Sequence, residues 1–324
     1  MNHNQLLELL QRHEGDFLSG EEISRRLSIS RTAVWKQINK LREEGYEFEA
    51  VSRKGYRLLR IPDKLAVSEI QAALATTRFG REIKLLDVTE TTQVEARKLA
   101  EAGAPSGVLV IAEEQTGARG RQGRHWFSPA RKGIWMSMVL RPNCPLSFAP
   151  QLTLLTAVAV CRAIRKVSGV EAGIKWPNDL LVKGQKICGI LIESAGEDEL
   201  IKYCIVGIGI DVNLDKSDVP DELKEIATSL KMISGREIDR AALIGVVMNE
   251  LEQLFNLYVT EGFAPIGHLW EALSVTLGRR ISIRTPQGEK SGVATALDPS
   301  GALILMDDHG EMYTIYSGEV QLGR

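Results

Sequence analysis

Residues 117–124 read Gly117-Ala118-Arg119-Gly120-Arg121-Gln122-Gly123-Arg124, with glycines and arginines between two apolar runs. Gly107 to Ala112 precedes the stretch and Ile134 to Leu140 follows it, and both runs have the composition of central strands. Glycines let a loop wrap an anion with its N–H groups, and guanidinium groups add bidentate contacts to phosphate. The stretch therefore predicts a phosphate-holding loop within an α/β fold. A flexible surface loop and a nucleic-acid contact are the alternatives.

The region from residue 65 onward alternates strand and helix patterns. Further strands are predicted at Leu85–Val88, Gly173–Trp176, Ile187–Glu193 and Tyr203–Val212. Helices of suitable length to cover a sheet are predicted at Thr92–Ala102, Leu152–Val167 and Arg240–Tyr258. This part of the chain is thus expected to be a mixed α/β domain.

A second polar motif, Lys175-Trp176-Pro177-Asn178-Asp179, precedes a run that begins Lys186-Ile187-Cys188-Gly189. A lysine, an asparagine and an aspartate at one strand end, with a second lysine entering the next strand, suit a site that holds an anion and Mg²⁺. Asn and Asp beside Pro are also common turn formers, so a polar turn between two core strands is the alternative.

The first sixty residues predict three helices and a hairpin. Ser19-Gly20-Glu21-Glu22 has the capping-box pattern that opens a helix, and Ser30 is placed to cap the next one. Val34, Ile38 and Leu41 then form one apolar stripe. Strand-compatible residues on both sides of 52–55 complete a winged helix-turn-helix pattern.

The helix-turn-helix region carries a local excess of positive charge. Residues 30 to 60 contain eight basic and four acidic residues. This excess suits contact with DNA phosphates, and the alternative is a solvated helix face in a protein-interaction module. The predicted DNA-binding residues are Ser30, Arg31, Thr32, Lys36, Lys40, Arg53 and Lys54.

Short strands separated by Gly, Pro and Asp follow residue 277 and predict a small β-barrel. The complete prediction is an α/β (α+β) multidomain chain. Its domains are a winged helix-turn-helix at 1–64, a mixed-sheet catalytic domain at 65–276 and the β module at 277–324, with a linker at Ile61-Pro62-Asp63-Lys64.

Composition narrows the class of protein further. Lys+Arg 40 against Asp+Glu 42 and 44% hydrophobic residues are typical of an ordinary folded protein, so any DNA contact must come from a local patch. The four widely spaced cysteines form no CxxC pair, which favours reduced, buried thiols. No apolar leader or apolar run of about 18 residues is present, so a cytoplasmic protein without a membrane span is predicted.

The order and spacing of these motifs resemble the biotin protein ligases. The resemblance rests on the Gly/Arg loop with Trp126-Phe127-Ser128-Pro129, on Lys175 to Asp179, on Lys186 to Leu191 and on Gly207-Ile208-Gly209-Ile210. It runs from about residue 65 to the C-terminus. The N-terminal module is similar to that of the family members that also repress the biotin operon. The resemblance implies a central fold of the biotin/lipoate ligase type and a C-terminal SH3-like β-barrel.

The resemblance implies a set of site residues. Biotin would be bound by Thr91, Thr92, Gln93, Gln115, Arg119, Gly120, Arg121, Lys186 and Gly189. ATP and Mg²⁺ would be bound by Arg119, Arg121, Lys175, Asn178, Asp179, Asp211 and Asn213, with Asn178 and Asp179 nearest the metal. Arg121, Lys186 and Asp179 are the expected catalytic residues. The expected partners are a biotin carboxyl carrier protein or domain of acetyl-CoA or pyruvate carboxylase, operator DNA and a second copy of the adenylate-bound chain.

Three positions depart from the family pattern. Ala118 stands where many relatives carry Gly, and Glu90 stands where Asp is frequent. Asp211 replaces the usual Asn and so substitutes an acceptor-only carboxylate for an amide donor near the nucleotide. The chief alternative function is a ligand-sensing transcription repressor without chemistry, which needs neither Lys186 nor Asp179; a lipoate ligase lacks these motifs.

Overall fold

The computed structural model describes residues 3–13, 15–43, 45–60, 63–197, 199–285 and 288–323. They form two compact units, Met1–Lys64 and Leu65–Arg324. Ile61 and Pro62 of the predicted linker lie outside the described residues. A division of the second unit at residue 277 stays a prediction.

Unit 1 contains the predicted three helices and hairpin. They are α1 (His3–Gln11), α2 (Gly20–Leu27), α3 (Arg31–Glu43), β1 (Glu47–Val51) and β2 (Gly55–Arg60). The side chain of Ser19 accepts a hydrogen bond from Glu22 N at 3.1 Å, as the capping pattern predicts. Val34, Ile38 and Leu41 are buried against the rest of the unit, so the opposite face of α3 is directed outward.

Unit 2 is built on a seven-stranded sheet. Its strands are β3 (Ile83–Thr89), β4 (Leu109–Gln115), β5 (Gly133–Leu140), β6 (Gly173–Lys175), β7 (Asp179–Val182), β8 (Gln185–Glu197) and β9 (Leu200–Asp211). The strand order is β3-β4-β5-β9-β8-β7-β6, and of these neighbouring pairs β3 and β4 alone are parallel. The sequence did not predict β7, because its four residues follow a turn motif directly.

The helices of unit 2 are α4 (Val67–Ala72), α5 (Thr92–Glu101), α6 (Ala149–Ser168), α7 (Leu230–Ser234), α8 (Arg240–Glu261) and α9 (Ala264–Leu273). The three that the sequence predicted, α5, α6 and α8, are confirmed. Short 3-10 helices lie at Arg121–Gly123, Leu146–Phe148 and Asp221–Leu223.

Alternation along β9 divides the sheet into two faces. Val206, Ile208 and Ile210 belong to the large core formed with α6 and α8. Ile205 is on the other face, in a smaller core with Ala96 and Ala100 of α5. Because α5 is short, its core ends at Ile205, and Gly207 and Gly209 on that same face are covered by the side chains of Gln93 and Trp126 instead.

The C-terminal strands form a separate antiparallel sheet of five strands. They are β10 (Arg280–Thr285), β11 (Gly288–Leu297), β12 (Leu303–Met306), β13 (Met312–Ile315) and β14 (Glu319–Leu322), in the order β13-β12-β11-β10-β14. The predicted C-terminal β module is confirmed. Its last strand, β14, was not predicted from the sequence.

The segment Leu146–Ser168, which contains α6, is long and apolar enough to cross a membrane by length and composition. However, 67% of its most apolar window is buried inside the protein. This is the burial that a core helix shows.

A buried ion pair joins the start of unit 2 to its core. Arg240 Nη1 lies 2.8 Å from Glu113 Oε2, and both side chains are almost fully buried. Glu113 Oε1 also accepts a hydrogen bond from Leu65 N at 2.6 Å, and Arg240 donates to the carbonyl of Gly133 at 3.0 Å. The pair therefore connects β4, β5 and α8 with the first residue of the unit.

We expect Arg240→Met to lower the free energy of unfolding of unit 2 by about 3–5 kcal/mol, because it leaves the Glu113 carboxylate buried without a cation. Urea unfolding followed by circular dichroism measures the change. The double variant Glu113→Gln/Arg240→Met is the matched control and should recover most of the loss. A loss below about 1 kcal/mol in the single variant would contradict the prediction.

Candidate active site

A cavity of about 590 Å³ lies on the face of the sheet that α5 leaves open. The parts of unit 2 that line it include the N-terminus of α5, the Gly/Arg loop, the turn before β7, the ends of β8 and β9, the segment 214–227 and the last strand of the C-terminal sheet. Of the residues predicted from the sequence, those that line it are Thr91, Thr92, Gln93, Gln115, Arg119, Gly120, Arg121, Lys175, Asn178, Asp179, Lys186, Gly189 and Asp211. The structure thus gathers residues that are far apart in the chain.

Among the residues predicted to bind biotin, ATP or Mg²⁺, Asn213 is the one that does not line the cavity. Its side-chain amide donates to the carbonyl of Ile238 at 2.9 Å and accepts from Ile238 N at 3.0 Å. Period-two alternation would place 213 on the face of Asp211, but β9 ends at Asp211 and the chain turns away. Asn213 instead holds the segment that leads into α8, through its two hydrogen bonds with Ile238.

The floor of the cavity is a patch of sheet without side chains. Gly189 and Gly209 face each other across β8 and β9, and Gly207 lies opposite Leu191. The indole of Trp126 rests on this patch: a Cβ added at Gly209 would lie 2.6 Å from its Nε1, and one at Gly189 would lie 2.9 Å from its Cζ3. Glycine is therefore required at both positions for the indole to approach the sheet.

Two buried polar atoms in the cavity wall have no hydrogen-bond partner among the described residues. They are Oε1 of Gln93 and Nε1 of Trp126, an acceptor and a donor. The amide nitrogen of Gln93 is engaged, since it donates to Glu193 Oε2 at 3.0 Å. Because unpaired buried polar atoms are costly, the pair suits a ligand that supplies both an N–H group and an acceptor.

A hydrogen-bonded network fixes the N-terminus of α5 beside these atoms. Thr92 Oγ1 lies 2.7 Å from Ser137 Oγ, and Gln115 Oε1 accepts from Thr92 N at 2.8 Å. Gln115 Nε2 donates to Ser128 Oγ at 3.2 Å, and Thr91 caps the helix by accepting from Gln93 N. Ser128 belongs to the Trp126–Pro129 motif but was not predicted as a site residue, and Ser137 was not predicted because an isolated serine in a sequence carries no distinguishing signal.

Among the charged residues that line the cavity, Arg121, Lys175, Lys186 and Asp179 are neighbours. Lys186 Nζ lies 2.6 Å from Asp179 Oδ1 and 5.1 Å from the ring centre of Trp126. Arg121 donates to Asn178 Oδ1 at 3.1 Å. Burial lowers the pKa of both Arg121 and Lys175, and Asp179 partly offsets this. Partly desolvated cations that outnumber the neighbouring acid form a site for an anion.

The Gly/Arg loop folds back on itself above the floor. Gly120 N donates to Arg124 O at 2.7 Å, and Trp126 N donates to Ala118 O at 2.9 Å. Gln122 and Gly123 between them have positive φ angles of 58° and 74°, which is the left-handed conformation. The loop is a small hairpin, and the buried side chain of Ala118 is accommodated within it.

The C-terminal sheet is part of this site, which the sequence did not predict. Strand β14 contributes Glu319 and Val320 to the cavity wall, and Glu319 forms an ion pair with Arg124 of the loop. The indole of Trp176 donates to the carbonyl of Gly301 at 3.2 Å, and Trp176 N donates to Thr276 Oγ1 at 2.9 Å. The sheet thus holds both the loop and the turn that carries Asn178 and Asp179.

The donors present are few for a resident metal ion. The described residues contain no group of three or more His, Cys, Asp or Glu that could hold a metal ion. Asn178 Oδ1 accepts from Arg121, and Asp179 is paired with Lys186. One carboxylate beside an anion site fits Mg²⁺ that arrives with phosphate oxygens, as Mg²⁺ commonly does.

The cysteines take no part in this chemistry. All four are free thiols, and Cys161, Cys188 and Cys204 are buried. Burial raises the pKa of Cys161 to about 11 and that of Cys204 to about 12. These thiols are protonated and inert near neutral pH, as the sequence predicts.

In unit 1, α3 and the hairpin tip display the predicted DNA-binding side chains. The exposed ones are Ser30, Arg31, Thr32, Lys36, Lys40, Arg53 and Lys54. Two other basic residues are engaged within the unit: Arg57 pairs with Glu49, and Arg42 donates to the carbonyl of Phe48 at 3.5 Å. The outward face of α3 and the tip of the hairpin therefore carry the exposed positive charge.

Asp211 is buried in the cavity wall. Burial raises the pKa of Asp211 well above its usual value, and Lys186 opposes this. The folded state consequently keeps the proton to higher pH than the unfolded chain does. Stability from this group is present at low pH and is lost as the pH rises through the folded-state pKa.

We expect Asp211→Asn to remove this pH dependence. The melting temperature of the variant should exceed that of the parent protein by an amount that grows between pH 5 and pH 9, because the amide cannot ionise. Scanning calorimetry across that range measures the difference. Glu261→Gln, which alters an exposed carboxyl group, is the control. A difference that stays constant or shrinks with pH would show that Asp211 is not destabilised by ionisation.

Fold and site together define a chain that joins an anion-binding α/β unit to a helix-turn-helix unit. Family models match three segments: the biotin/lipoate A/B protein ligase family at residues 83–211, an HTH domain at 2–57 and the biotin protein ligase C-terminal domain at 276–323. The chain is 47% identical to the bifunctional ligase/repressor BirA of Bacillus spizizenii over 98% of each chain. It is 30% identical to BirA of Escherichia coli (strain K12), over 95% of this chain and 94% of that one.

A solved structure agrees with these relatives. The biotin protein ligase from Aquifex aeolicus in complex with biotin and ATP matches with a TM-score of 0.66 and 28% identity, over 75% of this chain and 99% of that chain. The chain therefore belongs to the biotin protein ligase family, in the group of bifunctional ligase/repressors. The resemblance found in the sequence is confirmed.

Proposed function

We propose that the chain activates biotin with ATP to form biotinyl-5′-AMP and then transfers the biotinyl group to a lysine of a biotin carrier protein. The observation that carries the proposal is the convergence of Arg121, Lys175 and Lys186 on one partly buried cavity with a glycine floor. A ligand-sensing repressor without chemistry needs a pocket, but it does not need three cations gathered around Asp179.

Biotin fits the floor and the unpaired atoms. Its bicyclic ring needs a surface without projecting side chains, and Gly189, Gly207 and Gly209 provide one when the Trp126 indole and the Gln93 amide that rest on it turn aside. Its ureido group contains N–H donors and a carbonyl acceptor, which would then complement Gln93 Oε1 and Trp126 Nε1, the two atoms that are buried without a partner. Thr92 and Gln115 support this end of the site through their network with Ser137 and Ser128.

In the first step a carboxylate oxygen of biotin attacks the α-phosphorus of ATP. The new P–O bond forms as the bond from the α-phosphorus to the bridging oxygen breaks, and pyrophosphate leaves. Charge spreads over the phosphoryl oxygens in the transition state, so fixed cations are the main requirement. Arg121 and Lys186 are placed to supply them, and Lys186 exchanges its pair with Asp179 for the ligand oxygens.

In the second step the amine of a carrier lysine attacks the carbonyl carbon of the adenylate. The C–N bond forms, the C–O bond to phosphate breaks and AMP leaves. Free lysine has a pKa near 10.4, so its amine must lose a proton before or during attack. Asp179 lies in the cavity wall and is freed when Lys186 turns to the ligand, which makes it the base that accepts this proton.

Magnesium would enter this site with the triphosphate. Asp179 is the protein oxygen ligand that the cavity offers, with Asn178 beside it once Arg121 turns to the phosphates. When bound, the ion neutralises phosphate charge. Arg119 and Gly120 belong to the loop that folds over biotin and the phosphate, and Asp211 faces the nucleotide.

The adenylate would also act as the corepressor. We propose that its binding orders the Gly/Arg loop and the segment 214–230, and that the ordered surface supports a homodimer whose two helix-turn-helix units read a two-fold operator. The carriers would be biotin carboxyl carrier domains of acetyl-CoA or pyruvate carboxylase. ATP and operator DNA are cytoplasmic, so we propose a cytoplasmic location without contact with a membrane.

Arg121→Ala and Lys186→Ala are each expected to slow adenylate formation by about 100-fold or more, because each removes an oriented cation from the transition state. Pyrophosphate release with biotin and ATP measures the rate. Lys98→Ala is the matched control, since it removes an exposed cation on α5 outside the cavity. Parent-like pyrophosphate release from both cavity variants would refute the proposed activity.

Asp179→Asn is expected to slow transfer from preformed biotinyl-5′-AMP to the carrier, because the proton acceptor is lost. The deficit should shrink as the pH approaches the pKa of free lysine, where the amine needs no base. Single-turnover transfer measured between pH 6.5 and pH 10 tests this. Equal transfer rates in variant and parent across the range would exclude Asp179 as the base.

A further inference from the structure

Trp35 is a large aromatic side chain on the outward face of α3, and 54% of it is exposed. By contrast, Val34 and Ile38, which belong to the apolar stripe of the same helix, are almost fully buried. Among the described residues of unit 1, Trp35 and Leu59 are the large hydrophobic side chains classed as exposed, and Leu59 lies on β2 instead. A single exposed apolar side chain is ordinary on a protein surface, so what this indole does depends on its place on the helix and on its neighbours.

The surroundings of Trp35 indicate what that partner is. Helical spacing places Arg31 and Thr32 one turn before Trp35, and Lys36 follows it, all three exposed. A cluster of this charge repels a basic partner and attracts the phosphates of DNA. Trp35 is also the fifth residue of a thirteen-residue helix, in the N-terminal half. In helix-turn-helix proteins that half of the second helix faces base edges in the major groove.

The major groove offers one apolar group, the C5 methyl of thymine. We propose that Trp35 is a specificity-determining residue that recognises thymine methyl groups in the operator by apolar contact. The proposal rests on the repressor function given above. In it, Arg31 and Lys36 bind the phosphate backbone while Trp35 distinguishes thymine from cytosine, which lacks the methyl group.

The test needs an operator that the protein itself defines. A duplex is first selected from a random pool with the full-length parent chain in the presence of biotin and ATP. Each thymine of the selected half-site is then replaced singly by uracil, which removes the methyl group and leaves base pairing intact. Affinities of the parent protein, Trp35→Ala and Trp35→Phe are measured for every duplex and for an unrelated duplex at one fixed salt concentration.

We expect at least one uracil replacement to weaken binding of the parent by about fourfold, the effect of losing contact with one methyl group. The same replacement should have no effect on Trp35→Ala. Trp35→Ala should bind the selected duplex about tenfold or more weakly than the parent, with unchanged affinity for the unrelated duplex. Trp35→Phe keeps an apolar ring and should retain part of the uracil effect. If the indole N–H were the recognising group instead, Trp35→Phe would lose the preference completely.

Two control variants separate this role from others. Leu59→Ala removes the other exposed apolar side chain of unit 1 and should bind like the parent. Lys36→Ala should weaken binding to both duplexes equally and reduce the dependence on salt, as loss of a phosphate contact does. Melting curves and sedimentation accompany each variant, because a loss of DNA binding that follows a loss of dimer would assign Trp35 to a contact between copies and overturn the proposal.

Two further results have distinct meanings. Trp35→Ala could bind the selected duplex as tightly as the parent does and retain every uracil effect. This result would overturn the role of Trp35 and leave the repressor function standing. Failure of the parent to select any sequence overturns this role together with the sequence-specific repressor function. It leaves the ligase activity, which is measured by pyrophosphate release, unaffected.

Discussion

The bare glycine patch on β8 and β9 is the constraint on which the site in unit 2 depends. At Gly189 and Gly209 any larger residue would collide with the indole of Trp126, and at Gly207 it would meet the amide of Gln93. Because these positions lack side chains and the core of α5 ends before them, the Trp126 indole and the Gln93 amide can lie directly on the sheet at the floor of the cavity. A two-layer α/β unit normally fills such a face with apolar side chains, so the patch marks a place kept for a ligand.

Charge around the patch then selects the chemistry. Arg121, Lys175 and Lys186 lie at one cavity with Asp179 as their nearest acid, and burial withdraws part of their water. In such surroundings an anion gains more than it would in water, and the gain is largest where charge develops during reaction. Burial makes the charged form of these side chains less stable. An acyl phosphate bound beside them would supply the negative charge that stabilises them.

The C-terminal sheet completes the site and also stabilises it. Glu319 pairs with Arg124 of the Gly/Arg loop, and Gly301 and Thr276 hold Trp176 in the turn that precedes Asp179. The sheet therefore fixes both chain segments that must close over a ligand. The small C-terminal module therefore contributes to the ligase site as well as to the packing of unit 2.

Much of the site could be predicted from the sequence, because its motifs are local: glycines and arginines in one loop, and Lys175, Asn178 and Asp179 in one turn, reveal their chemistry by composition and spacing. The sequence also determined the elements of unit 1, since capping and apolar stripes are short-range signals. Only the tertiary structure decided which motifs meet. Arg121 contacts Asn178 across 57 residues, β14 lines the cavity, and Asn213 turns away from it. The physical reason is that strand order and the ends of strands are set by packing of the whole sheet, which no local pattern encodes.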